Sequence, residues 1–498
     1  MTKFNVTPGR LSHIVVLGGG TAGWLCAAVL AKRLSGHQVK VSLVESEDVG
    51  LIGVGEATIP PIRAALAFLG IDERQFVAET NGSYKLGIEF VDWLRLGHAY
   101  LHPFGAFGAD WGGIPFHQHY LRASALGSAD DYQAFSLTAM AAKAGKFATT
   151  PSTPAFERNW NYAFHFDSAL AAPFFRRYAE DLGVNRVEGL VESASSDTEG
   201  FISRLTLANG QHLNGDFFID CSGFRSLLLG QTLETPYQDW SDQLFCDAAV
   251  AAPSHREGGI PPYTRSYARA AGWQWEIPLS HRNGNGYVFS SKYLDVDQAK
   301  NDLQAYLGDS LAAEPRVIRF TPGRRERFWV KNCVAIGLAA GFLEPLESTA
   351  IHLSQLGIFW LLPFLPNFRP CDAEIAIYNQ QMCAAYEQAK SFLILHYITS
   401  ERRDSAFWSD CANIEVPELL AARLSAFRET GRCYVPEGEL FSQGSWLAVM
   451  LGQGVKPSTY PFFADRGPSE ALVGQLTQLQ NAYQAELAGM PEHRPLSR

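Results

Sequence analysis

The sequence predicts an α/β fold with a mixed sheet and a helical C-terminal region. Three observations predict it. The first fifty residues read as strand, glycine turn, helix and strand; two later strands also run into glycine turns; and beyond about residue 350 helical periodicity dominates. Residues 14–17 form a short buried strand, GGGTAGW (18–24) a tight turn, the Ala- and Leu-rich stretch 25–34 a helix, and 39–44 a second strand closed by Glu45. Residues 98–165, rich in Gly, His, Pro and aromatic residues, read as loops and short helices covering a site. A helix is expected at 168–182. Residues 187–220 read as strands, with turns at Ser195-Ser196-Asp197 and Asn209-Gly210, and end in the buried strand 217–219. Residues 243–330 alternate strand and turn signals, and 334–336 is another buried strand. Helices are expected at 350–365, 373–396, 416–427, 445–452 and 469–488. The chain thus divides into an α/β region, 1–350, with an inserted cover (about 98–165) and a β-rich part (about 187–330), and a helical region, 351–498, packed on it and contributing to a ligand pocket.

Composition excludes some functions. With 498 residues, 47% hydrophobic, the chain can bury a large core, and its net charge of -10 gives no general affinity for nucleic acid or anionic membranes. None of the eight cysteines sits at CxxC spacing, which argues against a zinc site or dithiol motif. Scattered cysteines, and an N-terminus without a basic region followed by a long apolar run, lead us to expect a cytoplasmic protein. The most apolar stretch, 351–365, is broken by His352, Gln355 and Pro363, so no membrane span is expected. The 12% aromatic content fits either a mixed core or a pocket for a flat ligand.

Gly18, Gly20 and Gly23 make G-x-G-x-x-G between a strand and a helix. One glycine serves the turn, one the close approach of a pyrophosphate, and one the packing of helix on strand. The helix N-terminus faces phosphates with free N–H groups, and Glu45 can accept bonds from ribose hydroxyls. The strand ends FFIDCSGFR (217–225) and CVAIGLAAG (333–341) favour FAD over NAD, because flavoproteins of the hydroxylase type return to their FAD with such turns. This makes the α/β region an FAD-binding, Rossmann-type domain. No second G-x-G-x-x-G is present for NAD(P)H, so the chain is not expected to reduce its own flavin.

GWQWEIPL (272–279) contains W-x-W-x-I-P: Trp273, Trp275, Ile277 and Pro278. Alternation puts both indoles on one strand face, where they would make a bulky, water-poor wall near the flavin. Further segments are GVGEATIP (53–60), GSYKLGIEF (82–90), HPFG (102–105), FLEPLESTAIH (342–352) and ERRDSAFW (401–408). Together these motifs resemble those of flavin-dependent halogenases of the tryptophan-halogenase group, from about Ile14 to Trp408.

The resemblance implies that reduced FAD, dioxygen and chloride or bromide yield hypohalous acid, which travels to a separate pocket and halogenates an electron-rich aromatic ring. It implies catalytic roles for Lys85 and Glu347, halide binding at Thr349 and Ala350, and substrate contacts from His102, Phe104 and Phe441. FAD contacts are expected from Gly18, Gly20, Thr21, Ala22, Gly23, Glu45, Gly53, Val54, Gly55, Glu56, Ala57, Val191, Asp220, Gly223, Leu338 and Ile351. It also implies a separate NADH-dependent flavin reductase as the source of FADH2. Where the family carries Thr-Gly this chain has Thr349-Ala350; if that position needs φ > 0, alanine disturbs the halide site. The Tyr-Tyr pair that grips free tryptophan is absent from 432–441, although Glu437 or Glu439 could be a remnant of the clamp. Indole or a larger aromatic is therefore expected in place of free tryptophan. The alternatives are a flavin-dependent aromatic hydroxylase of the same fold, against which the Trp-rich strand and the Lys85 segment argue, and a non-catalytic flavoprotein, against which Lys85 and Glu347 argue.

Overall fold

The structure is a computed structural model that describes residues 10–50, 53–129 and 131–496. Its first sheet has six strands in the order Trp329–Val330, Cys333–Ala335, Phe217–Asp220, His13–Leu17, Lys40–Glu45 and Asn185–Glu188. All neighbours are parallel except the terminal pair formed by Trp329–Val330 and Cys333–Ala335. Continuous apolar runs such as Ile14-Val15-Val16 suit these strands, which helices cover. Leu17 pairs with Asp220 and with Val44, and Asp220 with Ala335. Three strands therefore end level, and the three expected glycine turns leave one sheet edge side by side. Ligands of α/β sheets bind outside such carboxyl ends.

A second, mixed sheet has seven strands in the order Arg316–Arg319, Ala248–Ser254, Asn283–Phe289, Gly272–Pro278, Thr264–Arg269, Gly87–Val91 and Ala99–Pro103. It is antiparallel except between Thr264–Arg269 and Gly87–Val91. A small three-stranded sheet, with Ala163–Asp167 between Gly55–Ala57 and Ser83–Lys85, joins the GVGEATIP segment to the segment carrying Lys85.

The helix expected at 25–34 begins earlier, as Thr21–Arg33, because the last glycine of the motif is already helical. The C-terminal helices are Ala350–Leu361, Asp372–Ile398, Glu418–Thr430, Gln443–Gly452 and Ser469–Gly489. The first stops short of Pro363, as proline requires. Two departures correct the sequence reading. Ala99–Pro103 is a strand inside the segment read as loops, and Val296–Leu307 is a helix inside the segment read as strands and turns. Asp295 caps that helix, and Ala299, Leu303 and Leu307 pack on Ala248, Val250, Tyr287 and Phe289 to make a small second core. The main core runs from Ile14 through Tyr378 and Phe392 to Tyr483, so the C-terminal helices share the core of the α/β region.

Candidate active site

A cavity of about 850 Å³ opens at the carboxyl edge of the parallel sheet. Gly18 has φ +115°, and a Cβ there would lie 2.1 Å from the Cys221 carbonyl oxygen; one on Gly23 would lie 1.9 Å from that of Gly18. Gly20 differs, since a Cβ there meets no atom within 4 Å. The Thr21–Arg33 helix has no side-chain cap, which leaves its first N–H groups aimed at the cavity. Glu45 also faces the cavity and is fixed by Arg186 Nε at 2.6 Å and Trp24 Nε1 at 3.1 Å. This cradle, free helix N-terminus and terminal acid fit a dinucleotide. We expect Gly20→Ala to leave the melting temperature unchanged while weakening FAD binding roughly tenfold, and Gly23→Ala to lower the melting temperature as well. Fluorescence titration with FAD beside thermal melts checks both.

Gly18, Gly20, Thr21, Ala22, Gly23, Glu45, Val54, Gly55, Glu56, Ala57, Val191, Gly223, Leu338 and Ile351 line this cavity, together with Thr349 and Ala350. Two expected contacts do not. Gly53 lines a smaller adjoining cavity of about 320 Å³. Asp220 is fully buried, with Oδ1 accepting from Ser222 N and Oγ, and Oδ2 from the amides of Leu228 and Leu229. Its carboxylate is occupied in shaping the turn. Arg176 and Arg186, which the sequence reading missed, stand on the wall beside Glu45.

Trp273, Trp275 and Ile277 alternate along Gly272–Pro278 and all line the cavity, with the two indole rings 6.2 Å apart. Gly286, across the strand pair from Trp275, makes room for it, since a Cβ there would lie 2.1 Å from the indole. Pro278 lies outside the lining; its carbonyl accepts a bond from Ser83 Oγ, two residues before Lys85.

Lys85 is not among the residues that line the cavity and is 0% exposed. Its Nζ donates to the Thr58 carbonyl at 3.1 Å and to Ser348 Oγ at 2.8 Å, and sits 5.1 Å from the centre of the Phe104 ring. Burial lowers its pKa to about 7, against the pull of Glu347 and Glu56. Glu347 is also 0% exposed. His102 Nδ1 lies 3.1 and 3.0 Å from its two oxygens, and His396 Nε2 lies 2.9 Å from Oε1. Burial alone would raise the Glu347 pKa, but the two facing histidines hold it at about 2. His396 Nδ1 pairs with the Phe392 carbonyl at 2.8 Å, which can only accept, so that nitrogen carries a proton. Lys85, Phe104, His102 and Glu347 thus gather in one place. Phe441 sits one layer back, stacked on Phe392 at 3.8 Å.

Ser348 connects the cavity to this buried cluster, lining the cavity while accepting from Lys85. It also carries the left-handed backbone, at φ 57°. Ala350 is the first residue of a regular helix, and Thr349 has φ -85°. The expected penalty for alanine at position 350 is therefore absent, because the strained position is Ser348. Nothing in the sequence marked Ser348 or His396; only the folded turn and the Asp372–Ile398 helix bring them in.

Toward the C-terminus, Glu439 forms a two-pronged ion pair with Arg423 at 2.8 and 2.7 Å and accepts from Trp446 Nε1 at 3.1 Å. Glu437 is exposed, and Tyr434 is 77% exposed. Among the described residues, no cluster of His, Cys, Asp and Glu is arranged to hold a metal, and no helix is long and apolar enough to cross a membrane.

The tryptophan halogenase family model matches residues 13–468. The tryptophan 6-halogenase SttH of Streptomyces toxytricini is 35% identical, with 92% of each chain aligned. The tryptophan 7-halogenase RebH of Lentzea aerocolonigenes is 33% identical over 84% of this chain and 82% of its own. A solved flavin-dependent halogenase from Xanthomonas campestris superposes with TM-score 0.94 and 44% identity, covering 97% of both chains. Another, BrvH from Brevundimonas sp. BAL3, gives 0.93 and 40%, covering 97% of this chain and 98% of its own. The likeness extends across the glycine cradle, the Trp-bearing strand and the buried Lys85 segment, and the chain belongs to the tryptophan halogenase family as a flavin-dependent halogenase that uses FADH2 and a halide.

Proposed function

We propose that the protein halogenates an electron-rich, indole-like ring with hypohalous acid guided by Lys85 and Glu347. The observation that carries this reading is the placement of a fully buried lysine, bonded to Ser348 of the cavity lining on one side and flanked by Phe104 on the other. Bound FADH2, with dioxygen and halide, supplies the hypohalous acid. The Gly18–Gly23 turn, Glu45 and the 54–57 segment, which line the cavity, would hold the cofactor. The Thr349 and Ala350 amides, at the start of a helix, offer donors to the halide.

The remaining work falls to side chains. Trp273 and Trp275 keep the organic ring away from the flavin. With its pKa near 7, Lys85 has both forms within reach. The ammonium donates a hydrogen bond to hypohalous acid; the neutral amine reacts with it to give a haloamine and water. Either form presents electrophilic halogen to one ring carbon. The ring carbon bonds to halogen, and Glu347 takes the displaced ring proton. A carboxylate held near pKa 2 is a weak base, but a protonated ring carbon is a strong acid, so basicity is sufficient and permanent ionisation is the gain.

With Glu439 committed to Arg423 and Trp446, no clamp for the ammonium of a free amino acid is left there. We expect kcat/KM for indole to exceed that for free tryptophan at least about tenfold, on the loss of one or two charge-assisted bonds. Steady-state product formation on both substrates measures it, and a tryptophan preference overturns the substrate assignment. The halide donors are backbone amides with no charged partner assigned to select chloride, and bromide is easier to oxidise. Equimolar bromide and chloride should therefore yield mainly brominated product by mass spectrometry; mainly chlorinated product contradicts this. FADH2 is supplied by a separate NADH-dependent flavin reductase in the cytoplasm. A mixture of reductase, FAD, NADH, halide and a panel of indoles, read by mass, tests the whole reading.

A further inference from the structure

Glu344 is 1% exposed and has no role in the reading above. Its Oε2 accepts from Trp273 Nε1 at 2.7 Å and from the Tyr397 hydroxyl at 2.7 Å, while its buried Oε1 has no hydrogen-bond partner. Leu343 and Pro345 on either side line the cofactor cavity, whereas Glu344 stands behind it. Burial pushes its carboxyl above the ordinary range, against the bonds from Trp273 and Tyr397. The two glutamates of one turn are thus held by adjacent residues of one helix. Tyr397 holds Glu344, and His396 faces Glu347.

The two wall indoles are secured differently. Trp275 Nε1 is buried without a hydrogen-bond partner, and its ring is fixed by packing into the space above Gly286. Trp273 is fixed by a directed bond. A buried indole N–H left unpaired costs about 1–3 kcal/mol, which favours any rotation that finds another acceptor. Such a rotation would open the wall.

We propose that Glu344, braced by Tyr397, is a positioning residue that locks the Trp273 indole in the wall and so sets how much FADH2 oxidation ends in halogenated product. The inference rests on the proposed reading of Trp273 as a wall. In coupled turnover FADH2, dioxygen, a hydrogen halide and the aromatic ring give FAD, the halogenated ring and two waters. In uncoupled turnover FADH2 reduces dioxygen to hydrogen peroxide and leaves FAD.

The test uses the whole chain, the four single variants Trp273→Phe, Glu344→Leu, Glu344→Gln and Tyr397→Phe, and the double variant Trp273→Phe with Glu344→Leu. Halogenated product and hydrogen peroxide are counted per FADH2 consumed. On cofactor-free protein grown with 5-fluorotryptophan, the fluorine NMR line of Trp273 is identified by its loss in Trp273→Phe. Glu344→Leu should lower coupling about fivefold, matching Trp273→Phe, and the double variant should be no worse than either. The Trp273 line should split or broaden in Glu344→Leu and stay single in Glu344→Gln, whose amide oxygen still accepts. Should Glu344→Leu fail to fold, Tyr397→Phe replaces it, with a smaller loss in the same direction. If Trp273→Phe is uncoupled while Glu344→Leu and Tyr397→Phe keep wild-type coupling and a single line, this inference is overturned and the wall stands. If Trp273→Phe keeps full coupling, the wall reading falls and this inference with it.

Discussion

Lys85→Ala should abolish halogenation, lowering kcat at least about a thousandfold, while FAD binds as before. FAD binding survives because Lys85 is not among the residues that line the cofactor cavity and reaches that lining through its hydrogen bond to Ser348. Halogenation fails because Lys85 is, among the described residues, the amine that bonds Ser348 beside Phe104. The same lysine carries a stability cost. Its pKa falls from 10.5 to about 7 on folding. Below pH 7 both states hold the proton, and the folded state bears the full cost of burying it. Between 7 and 10.5 the unfolded chain binds more protons, so stability rises with pH across that window. Lys85→Met should therefore be more stable than wild type at pH 7, by about 1–3 kcal/mol after the loss of two hydrogen bonds, with a flatter dependence from pH 7 to 10.5. Product assays, flavin titration and denaturant melts across pH check the three parts. A normal rate in Lys85→Ala removes the lysine from the mechanism.

Glu347→Gln has the second largest expected effect. The amide keeps the shape but takes no proton, so kcat should fall about a hundredfold with the substrate KM little changed. The acid side of stability should respond as well. The folded pKa of about 2 lies below the ordinary 4.5, so this pair stabilises the protein above pH 4.5 and loses that effect as pH falls toward 2. The variant should lose less stability than wild type over that interval. A larger loss in the variant would show that the histidines do not hold an ionised carboxylate.

The parts of the site legible in the sequence are those where chemistry dictates residue type locally. Gly18 and Gly23 are required by backbone approaches under 2.2 Å to an added Cβ, and such constraints show as glycines. Trp273, Trp275 and Ile277 share a face because strand alternation places them there. Lys85 and Glu347 were reached through the motifs around them, since a single lysine has no local mark of burial. The illegible parts depend on distant pairing. His396 and Tyr397 end a 27-residue helix whose sequence does not reveal that they meet a turn fifty residues away. Asp220 looked like a ligand for the cofactor because it ends a strand at the right edge; its carboxylate is consumed by amides up to Leu229. Val296–Leu307 was hidden because its neighbours are strands.

The central claim is that electrophilic halogen reaches the ring inside the protein, guided by Lys85. It is tested most directly by halogenating indole in bromide with the complete reductase-coupled system and an excess of a soluble scavenger of hypobromous acid. Wild-type protein should still give one regioisomer at undiminished yield, with none from Lys85→Ala at equal FADH2 consumption. Loss of the wild-type product to the scavenger, or the same mixture of isomers that free hypobromous acid gives, would contradict it.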